Sequence, residues 1–332
     1  MIRAAEPTER AAVVTVAPQA TRPLPAQARR RSRLRRIAEH WPQYAAISPF
    51  FTVFLVFGLA PVIFSLYLAF HEWDGLGSMH YVGLEQFRRL ADDPLFWQSL
   101  RNTLVIWAMS TVPTLAIALV LASLINSAKR LTSFYRVAVF VPNITSIVAM
   151  AILFGALFST NFGLVNALLH SLGLGRVHWL TSPWGMKVVI ASLITWQWTG
   201  YNAIIYLAGL QAIPTELYEA AKVDGAGPIR SFFSITVPLL RPVILFTVVV
   251  STVTGMQTFT EPQVLFDAQL PPNTGGSGQG GLTMVLYFYH QTFDNNRYGY
   301  GAAIAWSVFL VVIVFVLINW RLLARGERAG GR

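Results

Sequence analysis

Six long apolar stretches, at residues 45–70, 103–125, 137–158, 186–210, 243–260 and 302–323, leave this chain few ways to fold. A membrane span needs about 20 mostly apolar residues in helical form, because nothing in hydrocarbon can satisfy an open backbone. The pattern therefore predicts an all-α, polytopic membrane protein with six transmembrane helices. A composition of 54% hydrophobic and 12% charged residues, outside the soluble range, agrees. The fourth and fifth stretches are the least apolar, carrying Trp196, Gln197, Trp198, Asn202 and Gln257.

An even number of spans puts both termini on one side, and the basic residues say which. Of 25 Lys and Arg, 19 fall in the two tails and in the second and fourth connections, whereas Arg88, Arg89, Arg101, Arg176, Lys187 and Arg297 are the six elsewhere. Both termini and the fourth connection are expected in the cytoplasm. Arg29, Arg30, Arg31, Arg33, Arg35 and Arg36 sit directly before the first span, where they meet anionic lipid, so the net charge of +10 does not argue for nucleic acid. The run from Ala45 is too long and too far from Met1 for a cleaved signal peptide and reads as a retained anchor. Residues 1–43 read as a disordered basic tail, 44–325 as the membrane domain, and 326–332 as a second tail. Without cysteine there is no disulfide and no thiol nucleophile.

Among the connections, Asp92 or Asp93 before Pro94 starts a helix within the first outer loop, 73–101. Short helices there either cap the bundle, with Trp73, Tyr81 and Trp97 in the aromatic belt, or share in docking a partner. Residues 126–136 make a short basic turn, and 161–169 a small outer helix. Pro113 and Pro142 bend the spans that hold them. The run Asn273 to Gly281 is glycine-rich, but no Gly-Lys-Ser/Thr follows, so it reads as a flexible outer loop rather than a phosphate cradle. His40, His71, His80, His170, His178 and His290 show no metal-ligand spacing.

The fourth connection, 212–242, is polar where its surroundings are apolar. Thr215 is a candidate N-cap, Glu216 suits the first turn, and Gly225 is free to close the helix in the left-handed conformation. Ten residues are too few for a helix to stand alone, so this one needs a surface. Ala220 and Ala221 admit close approach, and Glu219 offers a carboxylate to a cation. Pro228 then starts a second short helix with Phe232, Phe233 and Ile235 on its apolar side, which Pro238 and Pro242 break.

Glu219, Ala220 and Ala221, three residues, Gly225, nine residues, Ile235, two residues and Pro238 together resemble the signature loop of permease subunits of binding-protein-dependent ABC importers. Val237 stands where that family usually has leucine. Tyr81 to Phe87, Asn161 to Asn166, Tyr206 to Pro214 and Val237 to Pro242 resemble the maltose-type carbohydrate importers, and the likeness covers about 44–323.

This resemblance implies a type I importer permease fold in the bacterial inner membrane. It implies three kinds of partner: a second homologous permease subunit, a cytoplasmic ATPase dimer and an extracytoplasmic sugar-binding protein. ATP and Mg would be bound by the ATPase, with no cofactor and no catalytic residue in this chain. Glu219, Ala220, Ala221, Asp224, Gly225, Ile235 and Pro238 would form the coupling element. A di- or oligosaccharide would be the cargo.

Polar residues inside spans face interiors or cavities, so Trp198, Tyr201 and Asn202 on the fourth span, and Gln257, Thr258 and Glu261 within about one turn on the fifth, are the substrate-path candidates. The same residues also suit plain interhelical hydrogen bonds. Glycerol phosphate or a polyamine is the alternative cargo, and an ion-coupled secondary transporter the alternative class.

Overall fold

The computed structural model describes residues 40–127, 132–266 and 275–330, with side chains as far as Arg321. Most of the expected N-terminal tail, part of the 126–136 turn, Asn273 and Thr274 lie outside the described residues. The chain divides between Val62 and Ile63 into two compact units. The smaller holds most of α1 (Trp41–Leu68), which starts two residues before the expected end of the tail, with proline in its first turn. Phe50 and Phe57 are typical of its exposed apolar surface.

The larger unit continues with a two-strand ladder, β1 (His71–Glu72) antiparallel to β2 (His80–Tyr81), pairing His71 with Tyr81 and Glu72 with His80. There follow α2 (Glu85–Asp92), α3 (Pro94–Ser127), α4 (Thr132–Ile144), α5 (Ile147–Leu157), α6 (Leu164–Ser171) and α7 (Pro183–Gln211). Next come α8 (Thr215–Val223), α9 (Pro228–Gly255, including a widened π turn at Phe232–Thr236), α10 (Thr260–Phe266), α11 (Met284–Tyr289) and α12 (Tyr298–Gly330).

Among the described residues, α1, α3, α9 and α12 are long and apolar enough to cross a membrane, and α4 with α5 makes a fifth if that bent pair is one span. The expected fourth span, α7, is 29 residues long but falls outside that set. Its position explains why. Val189, Ile190 and Leu193 are fully buried, packing with Ile106 of α3 and Phe154 of α5, while Ala203 and Tyr206 pack with Ala118 of α3 and Leu240 of α9. A helix in a membrane bundle that faces protein rather than lipid can carry polar side chains toward its neighbours or a cavity. Gly200 marks the closest approach: a Cβ there would lie 1.6 Å from the Val139 carbonyl oxygen of α4.

Several expectations change. The third stretch is not one straight span: α4 and α5 meet at 91°, three residues beyond Pro142, with Ser146 extended between them. Pro113 sits inside an unbroken α3. The helix start expected at Pro94 is present, with Asp93 capping it by accepting the Leu95 N–H at 2.9 Å, but that helix runs unbroken into the second span, which was expected to begin nine residues later. Pro238 and Pro242 do not break the chain; α9 runs through both, and the π turn just before Pro238 gives room where a proline ring would otherwise crowd the preceding turn. Helix α12 continues to Gly330, so the expected second tail is helical up to there.

The described part of the glycine-rich run is not loose. Gln98 donates to the Gly278 carbonyl at 2.9 Å, and Asn102 donates to those of Gln279 and Leu282 at 2.8 and 3.0 Å. Gly275 and Gly276 are buried, and a Cβ on Gly280 would lie 2.3 Å from Pro183 Cα, so this segment is seated on the start of α7. The small helix expected at 161–169 is present as α6, held by Asn166, which donates to the Thr160 and Val177 carbonyls and accepts from the Trp179 indole.

Candidate functional site

Helix α9 ends at Gly255, where its last turn lies close against α3: a Cβ on Gly255 would lie 2.6 Å from Trp107 Cδ1. The chain then leaves helical geometry through Gln257, Thr258 and Phe259 before α10 begins. Gln257, Thr258 and Glu261 are therefore not neighbours on one turn of the fifth span, as expected, but flank a break in it. Thr258 Oγ1 donates to the Gly255 carbonyl at 2.8 Å, and the Thr258 carbonyl accepts from Thr283 Oγ1 at 2.7 Å, which ties the break to the start of α11.

This break opens into a cavity of about 240 Å³ between α3, α7 and the end of α9. Trp198, Tyr201 and Asn202 enter it from α7, and Gln257, Thr258 and Glu261 from the break and α10, so all six candidates line one space. The rings of Trp198 and Tyr201 meet edge to face at 5.6 Å, and Asn202 donates to the Trp198 carbonyl at 3.0 Å, one helical turn back. Asn202, Thr258 and Glu261 are buried, whereas Gln257 is exposed at the mouth.

Sequence reasoning missed Ser110, Thr111 and Thr114 of α3, Gln197 of α7, and Ser251 and Thr254 of α9, all of which line the same cavity. The signal was present. Positions 110, 111 and 114 lie one turn apart and place three hydroxyls on one side of an otherwise apolar stretch. The Gln197 Oε1 atom is buried without a hydrogen-bond partner among the described residues.

At the other polar feature, α8 starts at Thr215 with Pro214, not Thr215, in the capping position and no side-chain cap. Its far end matches expectation. Gly225 has φ +75°, its N–H bonds the Lys222 carbonyl at 3.1 Å, and the Ala226 N–H bonds that of Ala221 at 2.8 Å, which is a Schellman closure. Tyr218 fastens α8 to α9 through a 3.0 Å hydroxyl pair with Thr236. Glu219, Ala220, Asp224 and Gly225 are exposed, Ala221 and Ile235 half-buried, and Pro238 exposed on the first turns of α9. Most of the motif thus lies exposed on α8 and the first turns of α9.

Residues 94–326 match the family described as binding-protein-dependent transport system inner membrane component. The chain belongs to this family. The permease is 37% identical over 278 residues to a lactose transport system permease protein of Rhizobium radiobacter, covering 82% of this chain and 91% of the relative. It is 33% identical over 285 residues to an arabinooligosaccharides transport system permease protein of Halalkalibacterium halodurans, covering 85% and 87%.

Among solved structures, a bacterial alginate ABC transporter in complex with an alginate pentasaccharide-bound periplasmic protein contains a chain with TM-score 0.73 and 28% identity, covering 86% of this chain and 94% of that one. A bacterial ABC transporter involved in import of the acidic polysaccharide alginate gives TM-score 0.72 and 26% identity, covering 88% and 98%. The permease therefore has the all-α type I importer fold. It is a multi-pass inner-membrane transport subunit.

Proposed function

We propose that this permease forms the membrane path of an ATP-driven importer whose cargo is a di- or oligosaccharide. The cavity at the broken fifth span carries the reading. It combines flat aromatic faces, Trp198 and Tyr201, with hydroxyls and amides at Thr111, Thr114, Asn202 and Thr258. That is the mixture a pyranose or furanose chain needs, with rings for its C–H faces and hydrogen-bond partners for its hydroxyls. The lactose and arabinooligosaccharide systems of the relatives support it.

In this reading both termini and α8 lie in the cytoplasm, an extracytoplasmic sugar-binding protein delivers cargo at the opposite end, and a second homologous permease subunit completes the path. An ATPase dimer binds ATP and Mg and seats α8, with Glu219, Ala220, Ala221, Asp224 and Gly225 as the coupling surface and Ile235 and Pro238 aligning it on α9. ATP-driven closure of the ATPase moves α8 and shifts the bundle between two states, each favoured by a different partner.

One observation favours a second cargo. Among the described residues no Lys, Arg or His lines the cavity, which counts against glycerol phosphate, whereas the buried Glu261 suits a polyamine. Uptake by the assembled transporter in proteoliposomes decides between them. Accumulation of labelled maltose or arabinooligosaccharides with ATP supports the sugar reading; accumulation of spermidine alone overturns it.

A further inference from the structure

Among the described residues, Glu261 is the only Asp, Glu, Lys, Arg or His lining the polar cavity. It lies at the start of α10, is 7% exposed, and rests its carboxylate against the backbone N–H groups of Phe259 and of Glu261 itself. Among the described residues no basic side chain forms an ion pair with it. Burying a carboxylate without a cation is costly, and in membrane proteins such groups face pathways. Packing does not require the acid: α10 is held against α5 and α7 by Leu265 and Phe266, in the apolar cluster with Phe154 and Leu193.

Apart from Ile147, Ile194, Val250 and Gly255, the remaining lining consists of hydroxyls, amides and rings, so no cationic side chain in it stands ready to offset a second carboxylate beside Glu261. The alginate importers share this fold and take an acidic polymer, so the backbone architecture does not itself exclude acidic cargo. Any exclusion must come from the side chains.

We propose that Glu261 is a charge filter, accepting hydrogen bonds from the hydroxyls of uncharged oligosaccharides and rejecting sugars that bear a carboxylate. This rests on the sugar reading above. An ionised carboxylate only accepts, which matches sugar hydroxyls and leaves a uronate without a donor. At about 6 Å and an effective dielectric of about 20, repulsion between two carboxylates weakens binding on the order of 100-fold, and a wetter cavity reduces this to roughly ten-fold.

The test is equilibrium binding of radiolabelled maltotriose, arabinotriose and trigalacturonate to the assembled transporter in nanodiscs, without its binding protein. The wild type is expected to bind a neutral trimer at least about ten-fold more tightly than trigalacturonate. E261Q should erase that gap, E261D should keep it, and Q257K, which places a base at the mouth, should strengthen trigalacturonate binding. Equal affinities in the wild type, or an unchanged gap in folded E261Q, would overturn the filter while leaving the sugar reading intact. Binding of spermidine with no sugar bound would overturn the sugar reading and the filter with it. Binding of none of these probes would remove the cavity as the ligand site.

Discussion

Tyr300 donates its hydroxyl to Asp93 Oδ2 at 2.6 Å, joining the start of α12 to the cap of α3 across 207 positions of sequence. Tyr287 of α11 donates to the same oxygen, so one carboxylate gathers three helix ends. Burial works against the charged form of Asp93, but the bonds from Tyr287, Tyr300 and the backbone at Leu95 and Phe96 outweigh it and hold its pKa below the ordinary carboxylate value. With the folded-state pKa depressed, this stabilisation is present above about pH 3.9 and is lost as pH falls through the lower folded value. Asp93→Asn turns one carboxylate oxygen into an amide NH2, which deprives either both tyrosine hydroxyls or the Leu95 N–H of its acceptor, and should cost about 1–3 kcal/mol near neutral pH. Thermal unfolding in detergent should show a lower Tm for the variant at pH 7 and a difference that shrinks on acidification; a constant difference down to pH 3 would count against this role.

Gly200 offers a test of the core. A methyl group there would meet the Val139 carbonyl at 1.6 Å, and neither backbone is free to yield. Gly200→Ala should destabilise by about 1–3 kcal/mol or more through overpacking, read as loss of the monodisperse peak in size-exclusion chromatography. Gly155→Ala, whose new Cβ would come no closer than 3.7 Å to Leu265, should leave the peak unchanged. Equal behaviour of the two variants would refute the close approach of α4 and α7.

Membrane orientation is open to direct measurement, because the native chain has no cysteine. Single cysteines at Lys222 and Glu85 should be modified by an impermeant maleimide from opposite faces of sealed vesicles. Modification of both from one face would sink the assignment of α8 to the cytoplasm.

The coupling surface should separate hydrolysis from transport. Gly225→Val forces a β-branched residue into φ +75° and should unwind the end of α8, while Glu219→Ala removes the exposed carboxylate. In the reconstituted complex, sugar uptake should fall roughly ten-fold or more in either variant, through loss of about one charge-assisted contact in Glu219→Ala and through disruption of the helix end in Gly225→Val. The permease itself should still be recovered from membranes. Wild-type uptake per ATP hydrolysed in both variants would exclude the lever role.

Much of this was legible in the linear order of residues, for identifiable reasons. Apolar length alone located the helices, because the bilayer imposes it on α1, α3, α9 and α12. Gly225 announced its positive φ, and Pro94 and Pro228 their helix starts, because these are local steric facts. Thr215 misled as a cap because Pro214 takes that position without a side-chain bond. The glycine run misled too: flexibility was inferred from residue type, whereas Gln98 and Asn102, some 180 positions away, clamp its carbonyls.

The chain's own order of residues was sufficient to establish a helical membrane protein and a short polar helix in search of a partner, since hydrophobic length and helix termini depend on neighbours a few positions apart. Only the tertiary structure decided that the third stretch turns through 91° and that α7 is the buried centre. It alone decided that α9 ends at Gly255, so that six candidates from α7, the break and α10 face one cavity together with further polar residues of α3, α7 and α9. Those outcomes depend on which surfaces meet across the bundle, and close packing between distant segments leaves no periodic trace in either one.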